Sequence, residues 1–422
     1  MQYIKMSLQH LDFELDYLYK IGFRPLNLKK IKNYISKYKL TPKVPIITVT
    51  GTNGKGSTVE TINNLLISNG FSVGKFTSPH LIAINERIQV NNQVIDDNSL
   101  SNLLRIKRTQ LELDAQNYFS VLFLVALSYW QSFKLDYVIL EVGIGGKYDV
   151  LNLLDADVLV ISSIGLDHEA RLGGSRSIIG WQKAGLMRAK QSVVLAEPNA
   201  PKSITDCAIS VGANVYKIQH DFWSQYANSF WNWHSRQQSF YGLPYPNLFI
   251  ENVSSAIAVC ERLNVPLQAS KVRSVLKTLS LHGRQEVVHN DPEILLDVSH
   301  NAHALQHLLQ SIPQKPTILI FSALTRKSVE PMIQVLRQYV EQWIICESKN
   351  PHSYSADSLT QIIKQQLSSA TQNPPPIYTK SVPSQAVKFG LSLCPKQYRL
   401  LICGCFALVA EVKLLIPRLI LN

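Results

Sequence analysis

The sequence predicts an α/β protein with two domains. The first is an N-terminal ATPase-type domain with a phosphate loop and a mostly parallel sheet, and the second is smaller, α/β and Rossmann-like. Three observations carry this expectation. At 422 residues the chain is too long for one ordinary core. Short, continuous β-branched runs alternate with helical patterns, as strands covered on both faces do. These runs also fall into two sets with a polar stretch between them.

The N-terminal stretch is amphipathic, with Leu8, Leu11, Phe13, Leu15 and Leu18 as its apolar positions. Lys29, Lys30, Lys32, Lys37 and Lys39 alternate with apolar residues at helical spacing, which predicts a solvated helix face. The first set of strands is expected at 45–50, 72–77, 136–141, 157–162 and 192–196. The apolar run 119–130 is shorter than the roughly twenty residues that cross a bilayer and reads as a buried helix. A helical pattern follows at 251–280, then a polar segment at 282–292. The second set of strands is expected at 293–298, 316–321, 341–346 and 398–403, with the Pro374-Pro375-Pro376 run as a loop. Placing the boundary near residue 286 gives domains 1–285 and 286–422 with a cleft between them.

A hydrophobic share of 46% with 17% charged residues describes an ordinary globular protein. The formal charge of +12 is scattered rather than clustered, which argues against a nucleic-acid partner and suits small anionic substrates. The six cysteines show neither disulfide nor zinc spacing, and residues 1–10 lack a secretory pattern. The expectation is a cytoplasmic monomer with no membrane partner.

The expected strand 45–50 runs into Gly51-Thr52-Asn53-Gly54-Lys55-Gly56-Ser57-Thr58 and then a helical pattern over 59–68. Glycines let backbone N–H groups close around phosphate oxygens, Lys55 adds positive charge, the Ser57 hydroxyl suits Mg²⁺, and a helix N-terminus favours anions. Gly56 separates Lys55 from Ser57, unlike the common Walker form, in which Ser or Thr follows Lys directly. No Asn-Lys-x-Asp guanine signature is present.

Gly-Thr-Asn-Gly-Lys-Gly-Ser after a strand resembles the Mur-ligase superfamily. Further matches resemble one branch, the folylpolyglutamate synthase and dihydrofolate synthase family. They are Thr77-Ser78-Pro79-His80-Leu81, Asn85-Glu86-Arg87-Ile88, Leu140-Glu141-Val142-Gly143-Ile144-Gly145-Gly146, Leu166-Asp167-His168, Lys183-Ala184-Gly185 and Asp297-Val298-Ser299-His300-Asn301. The resemblance implies an ATP-dependent, ADP-forming ligase that adds glutamate to dihydropteroate, to reduced folate, or to both. It also implies two magnesium ions, one at Ser57 and one held by Ser78, Glu141 and His168, and carbamylation of Lys183 by CO₂. Thr52 to Thr58, Asn252, Arg284 and Asp297 would contact ATP, and domain closure would bring Arg284 to a phosphate. Phe119, Asp149 and Asn152 would contact the acceptor, and His300 would orient phosphate or the incoming amino acid. Lys55, Lys183, Arg284 and His300 would carry the chemistry, in which an acceptor carboxylate becomes an acyl phosphate.

The chain departs from the family pattern near the acceptor positions. Asn117-Tyr118-Phe119-Ser120 stands for Thr-x-Phe-Glu, and 146–152 reads Gly-Lys-Tyr-Asp-Val-Leu-Asn for Gly-Arg-Leu-Asp-Ala-Thr-Asn. The stretch 323–327 lacks the usual aspartate before its lysine, and Cys405 stands for serine. Another Mur-type ligase with a different acceptor, or a P-loop ATPase that binds nucleic acid, are the alternative readings.

Overall fold

The computed structural model describes residues 2–22, 26–111, 117–369 and 373–420, the side chains of 2–10 and 420 excepted. Leu8 of the amphipathic stretch therefore lies outside the described side chains. The chain forms two compact units, Met1–Leu279 and Ser280–Asn422.

The first unit is built on eight strands: β1 Ile46–Thr50, β2 Val73–Phe76, β3 Ile88–Val90, β4 Gln93–Val94, β5 Tyr137–Glu141, β6 Val158–Ile161, β7 Ser192–Leu195 and β8 Asn214–Lys217. Their order is β4-β3-β2-β5-β1-β6-β7-β8. β3 and β4 run antiparallel at one edge and the rest are parallel. β1 lies between β5 and β6, pairing Val49 with Glu141 and Thr50 with Ile161, and all five of its residues are buried. A strand that feeds a binding loop is thereby fixed on both sides.

The run 119–130 forms the helix Tyr118–Trp130, and ten of its residues are buried. In the first helix, Gln2–Ile21, Leu11 and Leu18 are buried and Leu15 packs against the core. Phe13 does not share that face. It is exposed, with the Arg108 guanidinium 5.3 Å above its ring.

At 222–243, where no strand is expected from the sequence, three antiparallel strands form a separate small sheet: β9 Phe222–Tyr226, β10 Trp231–Ser235 and β11 Ser239–Leu243. Phe222, Trp231, Trp233, Phe240 and Leu243 face inward.

The second unit has six strands: β12 Glu286–Asn290, β13 Glu293–Leu296, β14 Thr317–Phe321, β15 Val340–Cys346, β16 Ile377–Lys380 and β17 Arg399–Cys403, in the order β12-β13-β17-β14-β15-β16. All neighbours are parallel except β12, which pairs antiparallel with β13. The polar segment 282–292, read as a connection, thus contains an edge strand. Its polar side chains make ion pairs there, Glu286 with Lys413 and Asp291 with Lys396.

Candidate active site

In the first unit the site residues gather beyond the carboxyl ends of β1, β2, β5 and β6, where open α/β sheets bind ligands. Gly54 caps the helix Lys55–Ser68 with φ +83°, a left-handed conformation that L side chains avoid. A Cβ at Gly54 would stand 2.3 Å from Asn252 Oδ1, so Asn252, on the helix Ile250–Arg262, lies directly against the loop. The chain separates these two residues by almost two hundred positions.

The loop is strapped to the segment after β6. Thr52 N–H donates to Ser163 O at 2.8 Å, Asn53 N–H to Ser163 Oγ at 2.9 Å, and Ser162 Oγ to Asn53 O at 2.7 Å. Thr52 Oγ1 donates to Gly165 O and accepts from Gly165 N–H. Lys55 Nζ curls back to the Gly51 and Thr52 carbonyls, 3.1 Å from each. Ser57 is buried in the first turn, and the Thr58 hydroxyl bonds Gly54 O at 3.0 Å, which gives Thr58 a bracing position in the loop.

Glu141 ends β5 and accepts a hydrogen bond from Ser78 N–H at 3.0 Å, so these two residues lie side by side. His168 follows β6 with φ +53° and begins the short helix Glu169–Leu172. Arg87 Nε donates to His80 Nδ1 at 2.9 Å, and burial together with the Arg87 charge lowers the His80 imidazole to about 4.

Lys183 sits on the helix Arg176–Ala184 with 2% of its surface exposed. Gly146 lets the loop after β5 press on this helix: a Cβ there would stand 3.1 Å from Lys183 Cα. Burial, reinforced by the Lys55 charge, holds the Lys183 amine well below its ordinary pKa, and Asp167 and Asp149 oppose the shift only in part. Burial also raises Asp149 to about 6 against the hydrogen bonds its carboxylate accepts from Leu151, Ile144 and Gly143 N–H. A Cβ at Gly143 would stand 3.2 Å from the Phe119 ring and 3.5 Å from Asp149 Oδ2, so Phe119 and Asp149 flank one point.

Asn152 is turned away from that point. Its amide donates to Lys147 O at 2.8 Å, and its Oδ1 accepts from Arg188 Nη2 at 2.8 Å. The departures from the family pattern keep local roles. Asn117 Oδ1 caps Phe119 N–H at 3.0 Å, Ser120 Oγ bonds Asn117 O, and Lys147 Nζ lies 3.9 Å over the Trp181 ring. Cys405 Sγ accepts from Leu408 N–H at the start of the helix Phe406–Ile420.

In the second unit Asp297 is buried just past β13. Its carboxylate accepts from Gln285 N–H at 2.9 Å, and from Ser299 N–H at 2.8 Å and Ser299 Oγ at 2.5 Å. The carboxylate therefore points inward and fixes the turn that bears Arg284. The Arg284 guanidinium lies 5.1 Å from the centre of the Phe406 ring, and the His300 ring packs on the same phenyl at 5.7 Å. His300 Nδ1 lies 2.8 Å from Val298 O, which places the proton on Nδ1. Phe406, Ser162, Ser163 and Gln285 escaped the sequence reading. Gln285 stands beside Arg284 and Phe406 beside Cys405, both marked in the sequence, whereas Ser162 and Ser163 carry no such signal.

Residues 283–406 match the Mur ligase, glutamate ligase domain family. Over 317 residues the chain is 34% identical to a dihydrofolate synthase/folylpolyglutamate synthase of Buchnera aphidicola subsp. Schizaphis graminum, spanning 74% of this chain and 76% of the relative. It is 30% identical over 376 residues to the Haemophilus influenzae protein of that name, spanning 83% and 86%. Among solved structures it is similar to E. coli FolC in complex with DHPP and ADP, with TM-score 0.88, 27% identity and coverage of 97% and 98%. It is also similar to the Yersinia pestis bifunctional folylpolyglutamate synthase/dihydrofolate synthase complexed with AMPPNP and Mn, with TM-score 0.87, 31% identity and coverage of 96% and 98%.

Proposed function

Because this chain belongs to the dihydrofolate synthase/folylpolyglutamate synthase family, ATP-dependent ligases that add glutamate to dihydropteroate and folates, we propose that its loop at 51–57 is where an acceptor carboxylate becomes an acyl phosphate. The observation that carries this reading is the grouping of Lys55, Asn252, Glu141 and the buried Lys183 at one edge of the first sheet.

A carboxylate acylates poorly because oxide is a poor leaving group, and phosphorylation replaces it with phosphate. Lys55 and the loop N–H groups neutralise charge that develops as the acceptor carboxylate attacks the γ-phosphate. The glutamate amine then displaces phosphate and forms the amide. Phe119 and Asp149 contact the acceptor, and Asn152 acts by bracing the loop beside them. Arg284 takes phosphate charge and His300 orients phosphate or the incoming glutamate, each next to a residue, Gln285 and Ser299, that hydrogen-bonds the Asp297 carboxylate.

The donors present fit magnesium, an oxygen-seeking ion: the Ser57 hydroxyl in the loop, and the Glu141 carboxylate beside Ser78, with His168 in the segment after β6, across β1 from them. When bound, Mg²⁺ supplies charge neutralisation at phosphate oxygens. Burial lowers the Lys183 pKa and so favours the neutral amine, the form that adds to CO₂, making an N–C bond, releasing a proton and leaving an anionic carbamate. That change places an anion, instead of a neutral amine, near Lys55. The chain is taken to work as a cytoplasmic monomer, which light scattering of the purified protein checks.

The test supplies ATP, Mg²⁺ and labelled glutamate with dihydropteroate or a reduced folate. The wild-type protein is expected to label both acceptors and Lys55→Ala neither. Labelling by Lys55→Ala at the wild-type rate would overturn the assignment of the loop.

A further inference from the structure

We propose that His303 and His307 form a site for a borderline divalent transition cation of the zinc class, separate from the magnesium chemistry of the first unit. Both residues lie on the helix Ala302–Ser311, whose Leu305, Leu308 and Leu309 are buried in the core of the second unit. That burial fixes the rotation of the helix and leaves His303 and His307, four residues apart, together on another face. Asn301 caps the helix through a 2.8 Å bond from Ala304 N–H, so the turns bearing both imidazoles are anchored.

The ring geometry points to a ligand. The two Nε2 atoms are 3.1 Å apart, and the rings cross at 86° with centroids 4.6 Å apart. Two imidazole nitrogens, each about 2.05 Å from one ion and 3.1 Å from each other, subtend about 100° at that ion. This lies between the octahedral and tetrahedral angles, so the spacing of the two nitrogens suits one shared ion. With no ion, one ring donates Nε2–H to the other. Binding exchanges that hydrogen bond for the ion: the donor ring carries its proton on Nδ1 instead, and both rings turn so that their Nε2 lone pairs converge.

Ligand chemistry selects the ion. Neutral imidazole suits zinc, nickel and copper, whereas Mg²⁺ prefers oxygen ligands and keeps its waters. Two protein ligands leave the other coordination positions to water or to an added ligand. A chelate across one helical turn also ties down the start of the helix that directly follows His300 and Asn301.

The test is calorimetric titration of the full chain with Zn²⁺ in millimolar Mg²⁺, comparing wild type with His303→Gln and His307→Gln. The wild type is expected to hold one Zn²⁺ that each substitution weakens by roughly tenfold or more, since each removes half of a chelate. Loaded with Cu²⁺, the wild type should show the spectroscopic signature of two nitrogen ligands and each variant should lose it. Both variants should keep metal-free thermal stability and glutamate-ligase activity, which separates loss of the site from loss of the fold. Absence of saturable Zn²⁺ binding, or an isotherm that neither substitution changes, would overturn the proposal.

Discussion

A methyl group at Gly54 meets two obstacles. The residue has φ +83°, and holding an L side chain in the left-handed region costs about 1–2 kcal/mol. The new Cβ would also stand 2.3 Å from Asn252 Oδ1 and 2.9 Å from its Cγ, so the Asn252 side chain must swing away. Asn252 has only 7% of its surface exposed, and losing one hydrogen bond from it removes roughly 0.5–1.5 kcal/mol. Together these give about 1.5–3.5 kcal/mol, or ~10- to ~300-fold weaker ATP binding. The assay is ATP titration of glutamate incorporation, paired with direct ATP binding. Repeating the substitution in an Asn252→Ala background separates the two terms: there Gly54→Ala should cost only the backbone part, with a coupling of about 1 kcal/mol between the sites. An equal loss in both backgrounds, or unchanged ATP affinity, would refute the view that Asn252 and Gly54 build one surface.

Two other perturbations address the acidic and basic groups around the loop. Lys183→Ala should lower kcat by roughly 10²–10³. Wild-type activity should fall in CO₂-free buffer and recover with bicarbonate, a response the variant should lack; an indifferent wild type would count against carbamylation. Asp149 titrates near 6 in the fold, above the ordinary 3.8. Its contribution to stability is therefore fully present below about pH 4 and lost as pH rises through 6. Asp149→Asn should gain on the wild type across that window, by about 3 kcal/mol at pH 8, in thermal melts recorded from pH 4 to 8. A constant gap between the two melting curves would contradict the burial assigned to this carboxyl.

The parallel strands were legible because burial on both faces leaves continuous apolar runs such as Ile46–Thr50 and Thr317–Phe321. The sheet at 222–243 was hidden for the opposite reason. Trp223, Tyr226 and Tyr241 are exposed aromatics, so alternation between an inner and an outer face is masked by side chains that look alike. β12 was hidden by its position at an edge, where Glu286 is stabilised by Lys413 and His282 rather than by apolar contacts. Burial alone would raise Glu286, but those partners bring it down to about 2. In the candidate site the motifs marked which residues belong to the phosphate edge. They could not disclose that Asn252 touches Gly54, that Asp297 turns inward, or that Asn152 is committed to Lys147 and Arg188, because each depends on contacts between distant parts of a unit.

The inward curl of Lys55 makes the loop its own competitor. An arriving ligand must draw the ammonium away from the Gly51 and Thr52 carbonyls before it gains anything from that charge. A nucleoside, with no anion to offer, leaves this latch shut, whereas a polyphosphate offers the ammonium anionic acceptors in place of two neutral carbonyls. The lysine that would assist the chemistry is thus held by its own loop until an anion replaces those carbonyls, so a ligand that carries phosphate is set apart from one that does not.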